Sequence, residues 1–107
     1  MVIRMDAAPS GLTVWLSGEL DHHSARSLRE QVDAAVARSD AKLLRLDFSG
    51  VTFMDSSGLA VVAGRKRMCD TIKSEIYITN ISGYPEKILR MSGADKLVTI
   101  LEDRHEN

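Results

Sequence analysis

The 107-residue sequence has little of several features that define whole classes of protein. It contains one cysteine, Cys69, so a disulfide framework is excluded and a reducing, cytoplasmic compartment is expected. The longest stretch without a polar side chain, residues 58–64, has seven residues, whereas a membrane-spanning helix needs about 20. Fourteen basic residues against fifteen acidic ones leave no basic excess, so neither a nucleic-acid partner nor a membrane surface is expected.

What is present fits one domain over residues 1–107. About 44% of the residues are apolar, which is enough for a single core at this length. Apolar residues recur with a period of two in some segments and at three- and four-residue steps in others. The predicted order is β-β-α-β-α-β-α-β. This order is typical of an α/β fold with a mixed, mostly parallel sheet of about five strands and helices packed on it.

Five segments are predicted as strands, namely residues 1–7, 12–17, 44–48, 75–79 and 97–101. Residues 8–11 predict a hairpin turn between the first two strands. The first helix is predicted from an apolar stripe and begins near Ser24, with either Asp21 or Ser24 as its N-cap. The stripe consists of Ala25, Leu28, Val32, Ala35 and Val36.

Two more helices are predicted. The second begins near Ser57, and its apolar residues 59–63 are expected to be buried on all sides. Residues 65–67, which are Arg-Lys-Arg, are expected to form a solvated face that suits the negative end of the helix dipole. The third runs from Pro85 to Ser92, with Gly93 as the C-terminal stop. Cys69 is expected to be a buried structural thiol.

The most informative motif is Asp55-Ser56-Ser57-Gly58, which lies between a strand and an apolar helix. A serine at a helix N-terminus lies where free backbone N–H groups favour an anion. A phosphate on Ser57 would add about −1.5 to −2 charges without unfolding the domain. Gly58 is expected to leave space for a partner. The alternative is that Ser56 or Ser57 is only an N-cap, and spacing alone favours that interpretation.

Chemistry of other kinds finds little support in the sequence. Glu19, Asp21, His22 and His23 include metal-ligating types, but neighbouring side chains project in different directions and no metal is expected. The G-x-S-x-G nucleophile elbow is absent around Ser57. Neither of the glycine motifs typical of nucleotide-binding proteins, G-x-x-x-x-G-K-[ST] and G-x-G-x-x-G, is present. No cofactor and no catalytic residue are therefore predicted.

Several segments nevertheless carry a family resemblance. Residues 53–59, Phe-Met-Asp-Ser-Ser-Gly-Leu, resemble the phosphorylation-site loop of STAS-domain anti-sigma factor antagonists. Residues 16–25, which include Glu-Leu-Asp-His-His, resemble a narrower branch, the anti-sigma F factor antagonists of sporulating Gram-positive, Bacillus-like bacteria. Residues 80–82 and 90–93 are similar to family segments as well. Lys73-Ser74 departs from the pattern, because a glycine is usual there.

The resemblance implies a regulatory binding module rather than an enzyme. The unphosphorylated antagonist would bind an anti-sigma F factor, a serine kinase carrying ATP or ADP, and so release the sporulation sigma factor. That kinase would phosphorylate Ser57 and end the interaction, and a PP2C-type phosphatase would reverse it. The residues implied in partner contacts are Asp21, with Glu19 and His22 less strongly, and Asp55, Ser56, Gly58 and Leu59. The alternative is an antagonist in a stress-response module with a different kinase.

Overall fold

The computed structural model describes residues 1–101, so the polar residues 102–107, His105 among them, lie outside the described residues. The predicted order of elements is confirmed, with one additional 3₁₀ turn before the last strand. The elements are β1 (Val2–Ala8), β2 (Gly11–Leu20), α1 (His22–Ser39), β3 (Leu43–Met54), α2 (Ser56–Thr71), β4 (Glu75–Thr79), α3 (Gly83–Met91), the 3₁₀ turn (Ala94–Lys96) and β5 (Thr99–Leu101).

The strands form one sheet in the order β1-β2-β3-β4-β5. β1 and β2 pair antiparallel across the predicted hairpin, with Ala8 opposite Gly11, and the other neighbours pair parallel. The predicted mixed, mostly parallel sheet is therefore confirmed. Since parallel strands end at the same edge of a sheet, the segments that follow β2 and β3 lie side by side. This edge positions the candidate site.

Three strand boundaries differ from the prediction by two residues or more. β2 and β3 continue beyond residues 17 and 48, because their pairing extends as far as the Leu20–Met54 pair. β5 begins at Thr99 rather than residue 97, because the preceding residues form the 3₁₀ turn and the Leu97 N–H donates to the Ala94 carbonyl at 2.9 Å. The first two differences depend on hydrogen bonds between strands and the third on a local turn, and an alternation of residue types encodes neither.

The hydrophobic core lies where the helices pack on the sheet. All five residues of the predicted stripe on α1 are buried, which confirms the helical periodicity inferred from the sequence. They meet the buried side chains of the central strands, Leu12, Val14, Leu16, Leu44, Leu46 and Phe48. Cys69 is also buried, as predicted, and burial raises the pKa of its thiol.

A buried carboxylate links two of the strands. Asp47 on β3 accepts hydrogen bonds from Thr79 Oγ1 at 3.1 Å and from Asn80 Nδ2 at 2.7 Å. It also accepts from the backbone N–H of Ser49 at 2.9 Å. Burial alone would raise the pKa of Asp47, but the hydrogen bonds from Ser49, Asn80 and Thr79 outweigh it and lower that pKa. The carboxylate therefore fastens the end of β4 to β3.

The second helix differs most from its prediction. Within residues 59–63, Leu59 is only half-buried and Ala60 is exposed, so the segment is not buried all round. Arg65, expected on a solvated face, is only 6% exposed and its Nε lies 2.9 Å from Asp33 Oδ1 on α1. The helix continues to Thr71, so no basic residue falls in its last turn. Packing against α1 determines which residues of α2 are buried, because α1 covers one side of that helix regardless of the residue types that lie there.

Residue types explain where α3 begins and ends and bear on the turn before β4. α3 begins at Gly83, two residues before the predicted Pro85, because Ser82 takes the N-cap position. Gly93 follows the helix with φ +84°, which confirms it as the C-terminal stop. Lys73, one of the two residues at which the resemblance implies a glycine, has φ +61°, a left-handed conformation that glycine adopts without strain.

Candidate functional site

The edge at which β2 and β3 end brings two aspartates together. Leu20 and Met54 are paired neighbours on the two strands, and the Asp55 N–H donates to the Leu20 carbonyl at 3.3 Å. Asp21 and Asp55 are the next residues, and each caps the helix that follows it. The N-termini of α1 and α2 therefore lie beside each other. The segment after β2 thus lies near the Asp-Ser-Ser-Gly motif.

Asp55 is the N-cap of α2, so neither serine is. Its Oδ1 accepts from the Ser57 N–H at 2.8 Å and from the Gly58 N–H at 3.4 Å. The interpretation of Ser56 or Ser57 as a helix cap is therefore wrong, because the carboxylate before them occupies that position. Ser56 is exposed and Ser57 is half-buried. Within residues 1–101 the Ser57 hydroxyl makes no hydrogen bond, so no capping interaction makes it unavailable for reaction.

Asp21 and Ser24, the two candidate caps of α1, act together. The Asp21 carboxylate accepts from the N–H groups of His23 at 2.9 Å and Ser24 at 3.1 Å, and Ser24 Oγ accepts from the Asp21 N–H at 3.0 Å. This reciprocal arrangement is a capping box. The hydrogen bond from the Ser24 backbone is the main cause that lowers the pKa of Asp21. Asp21 Oδ2 accepts no hydrogen bond within the described chain, so it remains available to a partner.

Gly58 has a structural reason that the sequence did not reveal. It is buried, and a Cβ there would lie 2.4 Å from Met54 Cγ and 3.1 Å from the Leu20 carbonyl oxygen. The glycine is therefore required where α2 crosses the ends of β2 and β3 inside the chain. That the glycine also leaves space for a partner stays a prediction.

Basic side chains accompany Ser57 in a cleft between α1 and α2. The cleft has a volume of about 330 Å³ and is lined by His22, Ala25, Arg26, Arg29, Ser57, Ala60 and Val61. The sequence analysis singled out His22 and Ser57 but missed the two arginines. Their signal was available, since His22, Arg26 and Arg29 recur at four- and three-residue steps and so share one face of a helix. That this face meets Ser57 depends on helix packing.

An exposed aromatic pair lies next to the motif in the chain. Phe53, two residues before Asp55, is 37% exposed and stacks on Tyr84, which is 48% exposed, at the start of α3. Their ring centroids are 5.7 Å apart, with an interplanar angle of 13°. The sequence analysis assigned neither residue a role. Phe53 offered a weak signal, because an aromatic residue next to buried Met54 on the strand has to point to the opposite face.

The remaining predicted residues lie around this edge. Glu19 is exposed near the end of β2, and His22 is exposed at the first position of α1. Residues 1–101 contain no group of three or more side chains placed to hold a metal ion. No helix in that part of the chain is long and apolar enough to cross a membrane. Carboxylates, a half-buried hydroxyl and cations thus gather where β2 and β3 end, and the aromatic pair precedes the motif on β3.

Known proteins with similar sequences place the chain in a family. Residues 3–107 match the STAS domain family. An anti-sigma F factor antagonist from Paenibacillus polymyxa is 35% identical over 101 residues, which cover 94% of this chain and 86% of the relative. The chain belongs to the STAS-domain anti-sigma factor antagonists. The resemblance inferred from residues 16–25 and 53–59 is therefore confirmed.

Two further comparisons describe the range of this STAS family. An anti-sigma-B factor antagonist from Listeria monocytogenes is 24% identical over 89 residues, covering 83% of this STAS domain and 77% of the relative. The structure of the Bacillus cell fate determinant SpoIIAA in its phosphorylated form matches the fold with a TM-score of 0.75 at 24% identity, over 97% of this chain and 93% of that one. The relatives named as antagonists are regulatory proteins rather than enzymes.

Proposed function

We propose that this STAS domain is a phosphorylation-controlled antagonist of an anti-sigma F factor that is also a serine kinase. Its unphosphorylated form would bind the kinase and release the sporulation sigma factor, and phosphorylation of Ser57 would end that binding. The observation that carries the proposal is the Ser57 hydroxyl, which makes no hydrogen bond within residues 1–101 and opens on a surface cleft at the start of α2. A cytoplasmic location belongs to this proposal and stays a prediction.

The surface around Ser57 supports binding of a protein partner. Asp21 Oδ2 and the exposed Glu19 offer acceptors, and His22 offers a ring N–H donor. Leu59 is half-buried beside the motif, and the Phe53 ring offers apolar area. Aromatic and aliphatic anchors inside a polar rim are typical of protein interfaces. Ser56 lies exposed next to the reacting hydroxyl, whereas Asp55 contributes by holding the start of α2 in position.

The phosphoryl transfer would use the partner's ATP and magnesium. Ser57 Oγ would form a bond to the γ-phosphorus while the bond from that phosphorus to the bridging oxygen of ADP breaks. The hydroxyl proton would pass to a base on the kinase, because no carboxylate of this chain accepts a hydrogen bond from Ser57 within residues 1–101. A PP2C-type phosphatase would restore the hydroxyl by hydrolysis. This chain would be the protein substrate of both enzymes.

A phosphate on Ser57 would weaken the complex without unfolding the domain. The positive end of the α2 dipole favours an anion near the start of the helix, so the fold tolerates the added charge. Within an interface, the same dianion would have to be desolvated against the partner. Each 1.4 kcal/mol lost corresponds to about a tenfold weaker complex, so a few kcal/mol suffice for release.

The test combines the purified chain with the anti-sigma F kinase, magnesium and ATP, then locates phosphate by fragment mass spectrometry and follows the complex by size exclusion. Ser57→Ala should stay bound after ATP is added, and Ser57→Asp should fold but bind poorly. Ser56→Ala is the matched control, because it removes the neighbouring exposed hydroxyl. It should still be phosphorylated on Ser57 and released after ATP is added, whatever the Ser56 hydroxyl contributes to the affinity. Phosphate on another residue, or wild-type binding by both Ser57 variants, would contradict the proposal.

The second candidate is an antagonist in a stress-response module with a different kinase. The Listeria relative, an anti-sigma-B factor antagonist at 24% identity, is the observation that favours it. A parallel reaction with an anti-sigma-B kinase separates the two candidates. Faster phosphorylation and tighter binding with that kinase would replace the sporulation assignment and leave Ser57 as the site.

A further inference from the structure

The cleft that contains Ser57 carries positive charge on its opposite wall. Arg26 and Arg29 of α1 line it together with His22, and Ser57 lines it from α2. Arg26 pairs with Glu30 at 3.3 Å, but both side chains are largely exposed, so the pair is weak. Arg29 makes no ion pair with any of residues 1–101. Two guanidinium groups therefore lie near the hydroxyl with little compensating charge.

The charge of Arg29 is already felt by a neighbouring residue. Burial lowers the pKa of Arg65 most, and Arg29 lowers it further, while the Asp33 carboxylate opposes both. This is the response expected where one guanidinium lies in the field of another. Arg29 thus lies close enough to Arg65 for the two positive charges to repel each other.

The carboxylates around the cleft are occupied elsewhere or lie outside its walls. Asp21 and Asp55 accept hydrogen bonds from the N–H groups of the helices that they cap. Asp33 pairs with Arg65, and Glu30 with Arg26. Glu19 on β2 is exposed and does not line the cleft. An anion attached to Ser57 would therefore lie between the Asp55 cap, whose Oδ1 accepts from the Ser57 N–H at 2.8 Å, and the cations on the opposite wall of the cleft.

We infer that Arg26 and Arg29, assisted by His22, form an internal receptor for a phosphate on Ser57. This inference rests on the phosphorylation proposed above. The guanidinium fork binds phosphate oxygens in a bidentate manner, which suits it to this role better than lysine. Two guanidinium charges match the charge of phosphoserine, about −1.5 to −2 at neutral pH. Phosphorylation thus links α1 to α2 and converts a cationic cleft into a nearly neutral one.

The internal receptor gives the switch a second effect. The unphosphorylated chain presents two cations beside Ser57, whereas the phosphorylated chain uses them within itself. A partner loses access to those cations as well as meeting a bulky dianion. The phosphate is also held against the chain, so its ionisation and the stability of the domain become coupled to Arg26 and Arg29.

The experiment installs phosphoserine at position 57 during translation, so that its outcome does not depend on the kinase. Phosphorus-31 NMR then measures the second pKa of the phosphate in the wild type and in Arg26→Gln/Arg29→Gln. The matched control is Arg38→Gln/Arg67→Gln, which removes two exposed arginines of α1 and α2 that do not line the cleft. Thermal unfolding of all forms, with and without phosphate, provides the second measurement.

The phosphate pKa should rise by about 0.5–1 unit in the cleft variant, less than the ~1–3 units of close buried pairs because these arginines are exposed. It should stay within ~0.2 unit of wild type in the control, since screened charges outside the cleft act weakly. Phosphorylation should raise Tm less, or lower it more, in the cleft variant than in the wild type. The control variant should respond to phosphorylation as the wild type does. Equal phosphate pKa values in all three chains would overturn the receptor. Failure of the kinase to modify Ser57 would instead overturn only the proposed function.

Discussion

Replacing Gly58 by alanine tests whether the start of α2 is held against the strand ends by close packing. The new Cβ would lie 2.4 Å from Met54 Cγ, 3.0 Å from Leu20 Cγ and 3.1 Å from the Leu20 carbonyl oxygen. Met54 and Leu20 are fully buried, so neither can move aside into solvent. Gly64 lies in the same helix, and a Cβ there would meet only Arg67 Nη2 at 3.8 Å. Gly64→Ala is therefore the matched control.

The two substitutions should have opposite signs. Alanine is favoured over glycine inside a helix by about 0.5–1 kcal/mol, so Gly64→Ala should raise the free energy of unfolding by that amount. Forcing a methyl group into a packed core lowers the free energy of unfolding by about 1–3 kcal/mol. The helix gain offsets part of this loss, so Gly58→Ala should be destabilising by up to about 2 kcal/mol. The variants should differ by about 1–3 kcal/mol.

Urea and thermal unfolding, followed by circular dichroism, measure both changes. For a domain of this size, each kcal/mol corresponds to a Tm shift of about 4–8 °C. Gly58→Ala should melt below the wild type and Gly64→Ala above it. If Gly58→Ala melted at or above the temperature of Gly64→Ala, the close approach of α2 to Leu20 and Met54 would be refuted.

Three other outcomes follow from the site and its support. Asp55→Ala should lower the free energy of unfolding by about 1 kcal/mol through loss of the cap, while Asp55→Asn should nearly retain the wild-type value. An equal loss in the urea unfolding curves of both variants would contradict the role of Asp55 as the cap. Because folding lowers the pKa of Asp47, its carboxylate contributes fully to the free energy of unfolding above its unfolded-state pKa of about 3.9. This contribution disappears as the pH falls through the lower, folded-state pKa. Wild-type stability should therefore exceed that of Asp47→Asn most above about pH 5, and a constant difference down to pH 2 would refute this. Phe53→Ser should weaken anti-sigma factor binding by about tenfold or more while the domain stays folded, since 37% of the ring's residue surface is exposed to a partner. Unchanged affinity in titration calorimetry would remove Phe53 from the interface.

The helix caps show where local information was sufficient and where it was not. Asp21 and Ser24 were both candidates from sequence, and the structure uses both, because a capping box needs two polar residues three positions apart. For α2 the same logic pointed to the serines and overlooked Asp55. The carboxylate takes the cap because β3 continues to Met54, so that the helix begins one residue earlier than predicted.

Arg65 illustrates a different gap. Its position among Arg65, Lys66 and Arg67 predicted a solvated face, yet only Arg65 turns toward α1 and pairs with Asp33. Three consecutive helical residues point in three directions, about 100° apart. A run of like residues therefore contains no information about which one is buried until the neighbouring helix is in place.

The sequence by itself determined the order of the elements, the buried stripe of α1 and the position of Ser57 near the start of an apolar helix. Those features depend on residue periodicity and on nearest neighbours along the chain, which local propensities encode. Only the tertiary structure decided that Arg26 and Arg29 share a cleft with Ser57, that Gly58 is required by Leu20 and Met54, and that Phe53 stacks on Tyr84. Each of these contacts joins segments that the parallel pairing of β2 with β3, or the packing of helices on that sheet, brings together. Pairing register and helix packing are properties of the assembled core, because no single segment contains both partners of such a contact.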